Sequence, residues 1–166
     1  MTLKNIMTDA EAAALKGKQI GTGVSRRVFE VLGYPDLVVK EMINESPGSN
    51  VMEWRIWGWV KGTDLEPVFA ECVAVTYSHR YLFMRRATKP DDSHFLAAPK
   101  LPVWHDDPKP DAFGVIDGVL KIIDYGNVKQ AEFSKALVSS DRQWNTRTAN
   151  LRVREQLKRP SDDDAR

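Results

Sequence analysis

The run FGVIDGVLKIIDYG, residues 113–126, constrains the fold of this chain more than any other part of it. Residues 113–115 and 119–123 are rich in β-branched and aromatic side chains, and Asp117-Gly118 between them favours a tight hairpin turn with positive φ angles. A hairpin returns its second end to its first. The loop just before it, HDDPKPDA at residues 105–112, is therefore expected beside Asp124, so that Asp107, Asp111, Asp124 and Lys109 converge. Hard carboxylate oxygens hold Mg²⁺ and a lysine neutralises phosphate charge, which makes the convergence a cradle for a metal-bound phosphate.

Upstream, Gly21-Thr22-Gly23-Val24-Ser25-Arg26-Arg27-Val28 lies between two β-rich runs, residues 18–20 and 27–31. Its glycines let a backbone approach phosphate closely, although taken alone they also suit an ordinary β-turn. The next β-rich run, residues 37–42, contains Lys40, which by itself reads better as a surface-pointing strand lysine. Ser49-Asn50 offers cap chemistry for a short helix over residues 51–61 that ends near Gly62. Glu53, Ile56, Trp57 and Val60 fall at i, i+3, i+4 and i+7, so the glutamate shares the apolar face. A carboxylate there is costly without a partner, and Lys40 is the natural one unless Glu53 snorkels outward. Residues 68–77 and 81–85 complete the strand pattern.

Taken in order, these motifs resemble those of the protein kinases. HDDPKPDA is similar to the HRDxKPxN catalytic loop, Asp124-Tyr125-Gly126 to the DFG motif, residues 21–28 to the glycine-rich loop GxGxxGxV, and the run with Lys40 to the VAIK strand. The resemblance spans roughly residues 19–127. It implies an α+β kinase-like fold: a five-stranded antiparallel small-lobe sheet with one helix of the αC type, and a reduced helical large lobe. The whole chain is then one domain, with the small lobe over about residues 1–86, a hinge over 85–90, the reduced lobe over 91–159 and a tail over 160–166. The roles implied are Asp107 receiving the acceptor proton, Lys109 on the transferred phosphate, Lys40 held by Glu53 on the α- and β-phosphates, and Asp124 on Mg²⁺. Gly21, Thr22, Gly23 and Val28 would cover ATP, with Met84 as gatekeeper and the Ala87 N–H on adenine. Two departures stand out. Arg26 replaces the third glycine, and Ala112 replaces the asparagine that holds a second metal, so either one metal site is lost or Asp111 substitutes. No counterpart of the APE motif follows, and the layout is similar to compact kinase-like proteins of bacteriophages.

Three functions from different classes follow from this reading: a minimal phosphotransferase to Ser or Thr of a protein, a pseudokinase that binds and inhibits another protein, and a nucleic-acid-associated regulator. The last rests on six Lys/Arg within residues 141–159 against Asp141 and Glu155, a segment whose default reading is a solvated helix face and whose partner is open between an acidic protein surface and nucleic acid. Trp54, Trp57 and Trp59 suit base stacking or packing of the helix on the strands. A net charge of +1 gives no global case for nucleic-acid binding. No apolar run approaches membrane-spanning length, and a lone Cys72 fits a reducing compartment, so a cytoplasmic location is expected. Thr8-Asp-Ala-Glu11 is a capping box before a helix over residues 9–16, residues 129–138 and 141–158 are two further candidate helices, and residues 161–166 read as a frayed tail.

Overall fold

Alternation within one strand sets the architecture. The computed structural model describes residues 3–43, 48–96, 100–102, 104, 109–129, 132–133 and 146–148. Strand β4, Tyr34–Met42, sends Leu37 and Val39 into one apolar cluster with Met7, Ala12 and Phe83, while Val38 enters a second cluster with Ile56, Trp57 and Val60. Successive side chains of a strand point to opposite faces, so β4 is buried on both sides. Lys40 shares the face of Val38, and Glu41 the face of Val39.

Around β4 lie β1 (Ile6–Met7), β2 (Lys16–Thr22), β3 (Arg26–Val31), β5 (Cys72–Thr76) and β6 (Tyr81–Arg85), in the sheet order β1-β5-β6-β4-β3-β2. The fold is therefore α+β with a six-stranded sheet. This corrects the expected five antiparallel strands: β1 adds a sixth and pairs parallel to β5, with Ile6 opposite Val75 and Met7 opposite Thr76. Two residues are too few to display a period, so the sequence pattern left β1 invisible.

A helix covers each face of the sheet. The first, α1 (Asp9–Ala14), begins with the expected capping box: Thr8 Oγ1 accepts from the Glu11 N–H at 3.2 Å, and the Thr8 N–H donates to Glu11 Oε2 at 2.8 Å. It places Ala12 against the Val39 face. On the other side α2 (Gly48–Val60) buries Glu53, Ile56, Trp57 and Val60, the stripe expected from their spacing. Asn50, expected as cap chemistry, is instead fully buried inside this helix. Trp57 is buried in the core stripe of α2, while Trp54 and Trp59 pack partly buried against the same cluster from the flanks of that stripe. A short helix, α3 (Asp92–Leu96), follows the sheet.

The hairpin is present as β8 (Phe113–Ile116) and β9 (Val119–Ile122), with Asp117 and Gly118 at φ of 51° and 75°. It is joined to the sheet unit on two sides. Thr88 and Val115 exchange both backbone hydrogen bonds at 2.9 Å, and the Ala70 N–H donates to the Ile122 carbonyl at 2.9 Å. Phe69, Trp104, Tyr125 and Phe133 fill the space between with edge and stacked ring contacts.

Residues 146–148 form a strand, β10, antiparallel to β7 (Lys100–Pro102). The helix expected over residues 141–158 is thus interrupted here, and two β-branched threonines flanking Arg147 favour the extended backbone. The remainder of that segment, most of the candidate helix over residues 129–138 and the tail from residue 160 lie outside the described residues. Among those that are described, no helix is long and apolar enough to cross a membrane.

Gly114 is the tightest point of the hairpin's seating. A methyl group there would overlap the Ala87 Cβ and press on Ile123. Gly114→Ala is expected to lower stability by about 1–3 kcal/mol, the usual penalty of overpacking. Urea denaturation of the two proteins measures it, and equal midpoints would mean that the hairpin can shift at no cost.

Candidate functional site

Lys40 and Glu53 meet because β4 turns Lys40 toward α2 and the helical stripe turns Glu53 toward β4. Lys40 Nζ lies 3.0 and 3.2 Å from the two Glu53 carboxylate oxygens, with both residues buried. The same ammonium donates to the Ile123 carbonyl. An ammonium has three donors, and these contacts engage all of them.

Glu53 accepts more than the lysine. Arg26 Nη1 approaches its Oε2 at 2.8 Å, and the Tyr125 N–H donates to Oε1 at 3.1 Å. Arg26 reaches onward, with Nη2 placed 2.6 Å from Asp124 Oδ1 and Nη1 donating to Asn50 Oδ1 at 3.4 Å. Asn50 in turn donates to the carbonyls of Lys40, His79 and Arg80 at 3.0–3.2 Å, tying α2 to the β4 and β6 ends. Two cations and two carboxylates thus form a chain, Lys40–Glu53–Arg26–Asp124, in which each charge has an opposite neighbour.

The Asp-Tyr-Gly segment is fixed by its middle residue. The Tyr125 hydroxyl donates to the Ala70 carbonyl at 2.8 Å and contacts Cys72 Sγ at 2.9 Å, and its ring meets Phe69 edge-on. Burial and the nearby Glu53 charge push the Cys72 thiol well above its usual range. Gly126 passes so close to α2 that a Cβ would sit 3.0 Å from the Ser49 backbone.

Three members of the charge chain, Arg26, Lys40 and Asp124, line a cleft of about 450 Å³. Gly21, Thr22, Gly23 and Val28 line it from the β2–β3 side, with Arg26 and Lys40 behind them and Lys109, Asp111, Ala112, Asp124 and Asn127 opposite. The volume is within the range of small-molecule sites. Of the residues singled out from sequence, the cleft gathers the glycine loop, Lys40, Lys109 and Asp124, with Glu53 directly behind. Met84 and Ala87 are not part of its lining: Met84 is buried in the core, and Ala87 packs at Gly114 under the hairpin. His105 and Asp107 lie outside the described residues. Arg26 and Asn50 are the participants that sequence reasoning missed as partners. The signal for Arg26 was its departure from the glycine pattern; for Asn50, a polar residue three before Glu53 on the same helical face was the only hint.

Among the described residues, the carboxylate that Mg²⁺ would use is already engaged. Mg²⁺ takes oxygens at about 2.0–2.1 Å in near-octahedral order, one or two of them from carboxylates and the rest from water and substrate phosphate. Asp124 Oδ1 is held by a guanidinium, Ala112 offers a methyl group, and among the described residues no cluster of three or more His, Cys, Asp or Glu is placed to hold a metal. No protein-family model matches the chain, and no curated protein matches it.

Two outcomes follow from the charge chain. Glu53→Ala would leave Lys40 and Arg26 buried without their shared carboxylate, and is expected to cost about 3–5 kcal/mol in denaturant unfolding. A loss as small as that of a surface substitution would show that the pairing contributes little.

The second outcome concerns acid. Burial opposes ionisation of Asp124, but Arg26 and Lys40 more than offset it and lower its pKa from the usual 3.8. A carboxylate shifted down on folding contributes stability that is complete above its ordinary pKa and is lost as pH falls through the folded value. Wild type is therefore expected to lose stability on acidification below about pH 5 more steeply than Asp124→Asn. Parallel curves in urea melts across that range would contradict the Arg26–Asp124 contact.

Proposed function

We propose that this chain is an ATP-binding, kinase-like protein whose phosphoryl transfer to Ser or Thr of a protein is compromised at Arg26 and Ala112. The observation that carries the reading is the buried Lys40–Glu53 pair at the back of a cleft edged by the Gly21–Gly23 turn and by Asp124. In that reading adenine and sugar lie under the glycine turn, and the phosphates run toward Lys40 and Arg26. Lys109, across the cleft, meets the terminal phosphate. Lys40 must release the Ile123 carbonyl to offer a donor to phosphate, while Glu53 continues to hold it in place.

Transfer depends mainly on positioning and on neutralising charge that spreads over the phosphate oxygens. The methyl group of Ala112 supplies neither, and the guanidinium on Asp124 occupies the oxygen that the kinase resemblance would give to a metal. Binding is thus expected to survive better than turnover. The contact between Arg26 and Asp124 also favours a second reading, a pseudokinase that engages another protein through this fold.

The test has two parts. ATP in a Mg²⁺ buffer is expected to raise the melting temperature of wild type, by a free energy near 2.7 kcal/mol at about a hundredfold excess over Kd, and Lys40→Met is expected to abolish the shift. Absence of any shift in wild type, in Mg²⁺ and equally in EDTA, overturns the proposal. With labelled ATP and protein acceptors, wild type is expected to be slow and the double variant Arg26→Gly, Ala112→Asn faster by about a hundredfold or more. A folded, ATP-binding double variant that gains nothing favours the pseudokinase reading.

A further inference from the structure

Arg26 is held in a way that a loop arginine facing solvent is not. Its side chain is only 9% exposed, and both terminal nitrogens are engaged, one by Glu53 and Asn50 and the other by Asp124. Asn50, which braces it, is itself fixed by three backbone carbonyls. The guanidinium is therefore built into the wall of the cleft and does not hang across it. Lys40 and Lys109 line the same cleft, so three cationic side chains contribute to it beside the carboxylates of Asp111 and Asp124.

A divalent cation and a guanidinium compete for the same position. Magnesium on Asp124 would have to share that carboxylate with Nη2, which is 2.6 Å from Oδ1, and would then stand beside a positive charge still tied to Glu53. Arginine can do the electrostatic part of a metal's work on phosphate. Its planar fork matches phosphate oxygens, its charge is permanent, and two of its five N–H groups are not engaged by Glu53, Asn50 or Asp124.

We propose that Arg26 is the resident cation of this cleft and that the cleft therefore takes a nucleoside polyphosphate without a divalent metal. The inference rests on the nucleotide-binding reading above and adds to it the chemical form of the ligand: the free, metal-less polyphosphate anion. Arg26 supplies from the protein the charge that a metal would otherwise bring with the nucleotide. The ligand remains intact, and no bond is made or broken.

Calorimetric titration of the full chain with ATP, in EDTA and separately in Mg²⁺, tests this. Affinity in EDTA is expected to equal or exceed that in Mg²⁺. Arg26→Gln removes the charge at nearly constant size and is expected to weaken binding in EDTA by about tenfold or more, a change of about 1.4 kcal/mol, while Mg²⁺ becomes favourable to it. Arg26→Lys, which keeps a positive charge, is expected to retain more of the EDTA affinity than Arg26→Gln. The wild-type comparison stands even if a variant fails to fold. Binding by wild type only in Mg²⁺ overturns this inference and leaves the nucleotide reading intact, as does an unchanged EDTA affinity in a folded Arg26→Gln protein. No binding in either buffer overturns both.

Discussion

A single carboxylate, that of Glu53, ties together the elements that wall the cleft. It is completely buried and receives Lys40 from β4, Arg26 from the start of β3 and the Tyr125 backbone from the segment after β9. Burying an isolated carboxylate costs several kcal/mol, so each donor is required for the charge to be tolerated at all. Four parts of the chain far apart in sequence are consequently drawn to one point. The shape of the cleft is a by-product of satisfying this charge: Lys40 and Arg26 form its wall because Glu53 is behind them.

The opposite face of β4 repeats the device. Glu41, next in sequence to Lys40, points the other way and is also buried, with Lys16 at 3.1 Å, Arg80 at 3.3 Å, Arg27 at 3.4 Å and the Tyr81 hydroxyl at 3.0 Å. Lys16 additionally lies over the Phe29 ring, 4.7 Å from its centroid. Two adjacent charged residues in a strand buried on both faces can be accommodated only if each face provides counter-charges. This one does, with a helix-borne carboxylate on one side and cations from β2, β3 and the turn before β6 on the other.

Much of this arrangement was legible in the residues. The Asp117-Gly118 turn, the Thr8 capping box and the Glu53-Ile56-Trp57-Val60 stripe are local rules, decided within a few residues, and all three appear as expected. The meeting of Lys40 with Glu53 was legible because an expensive buried carboxylate demands a partner. Other features depend on tertiary placement. Arg26 follows the glycine turn on a strand whose direction is set by pairing with β4, and nothing local tells that its side chain spans from Glu53 to Asp124. Asn50 has cap chemistry by type, yet inside the helix it serves carbonyls of β4 and the β5–β6 turn. Strand β1 escapes detection by its length, and β10 lies where charge pattern outweighed two threonines in the reading.

The double seam that binds the β8–β9 hairpin to the sheet unit has a consequence for how anything enters the cleft. Thr88 and Val115 on one side, and Ala70 and Ile122 on the other, fasten the hairpin at both of its edges, and Tyr125 pins the strand that leaves it. The side of the cleft bearing Ala112 and Asp124 is thereby locked to the β4–β6 part of the sheet and to α2, and cannot swing away as a rigid flap without breaking several backbone bonds at once. Beyond the pairing of Gly21 with Val28 and Thr22 with Arg27, the tip of the Gly21–Ser25 turn is tied by the Gly23 N–H to the Arg26 carbonyl and the Ser25 carbonyl to the Ile43 N–H, with Val24 wholly exposed. Among the described residues, the turn is therefore the wall of the cleft that is more readily displaced. Amide protons along the two seams should outlast those of the turn by a wide margin in exchange with deuterated water, since seam opening requires a concerted breach and turn opening does not.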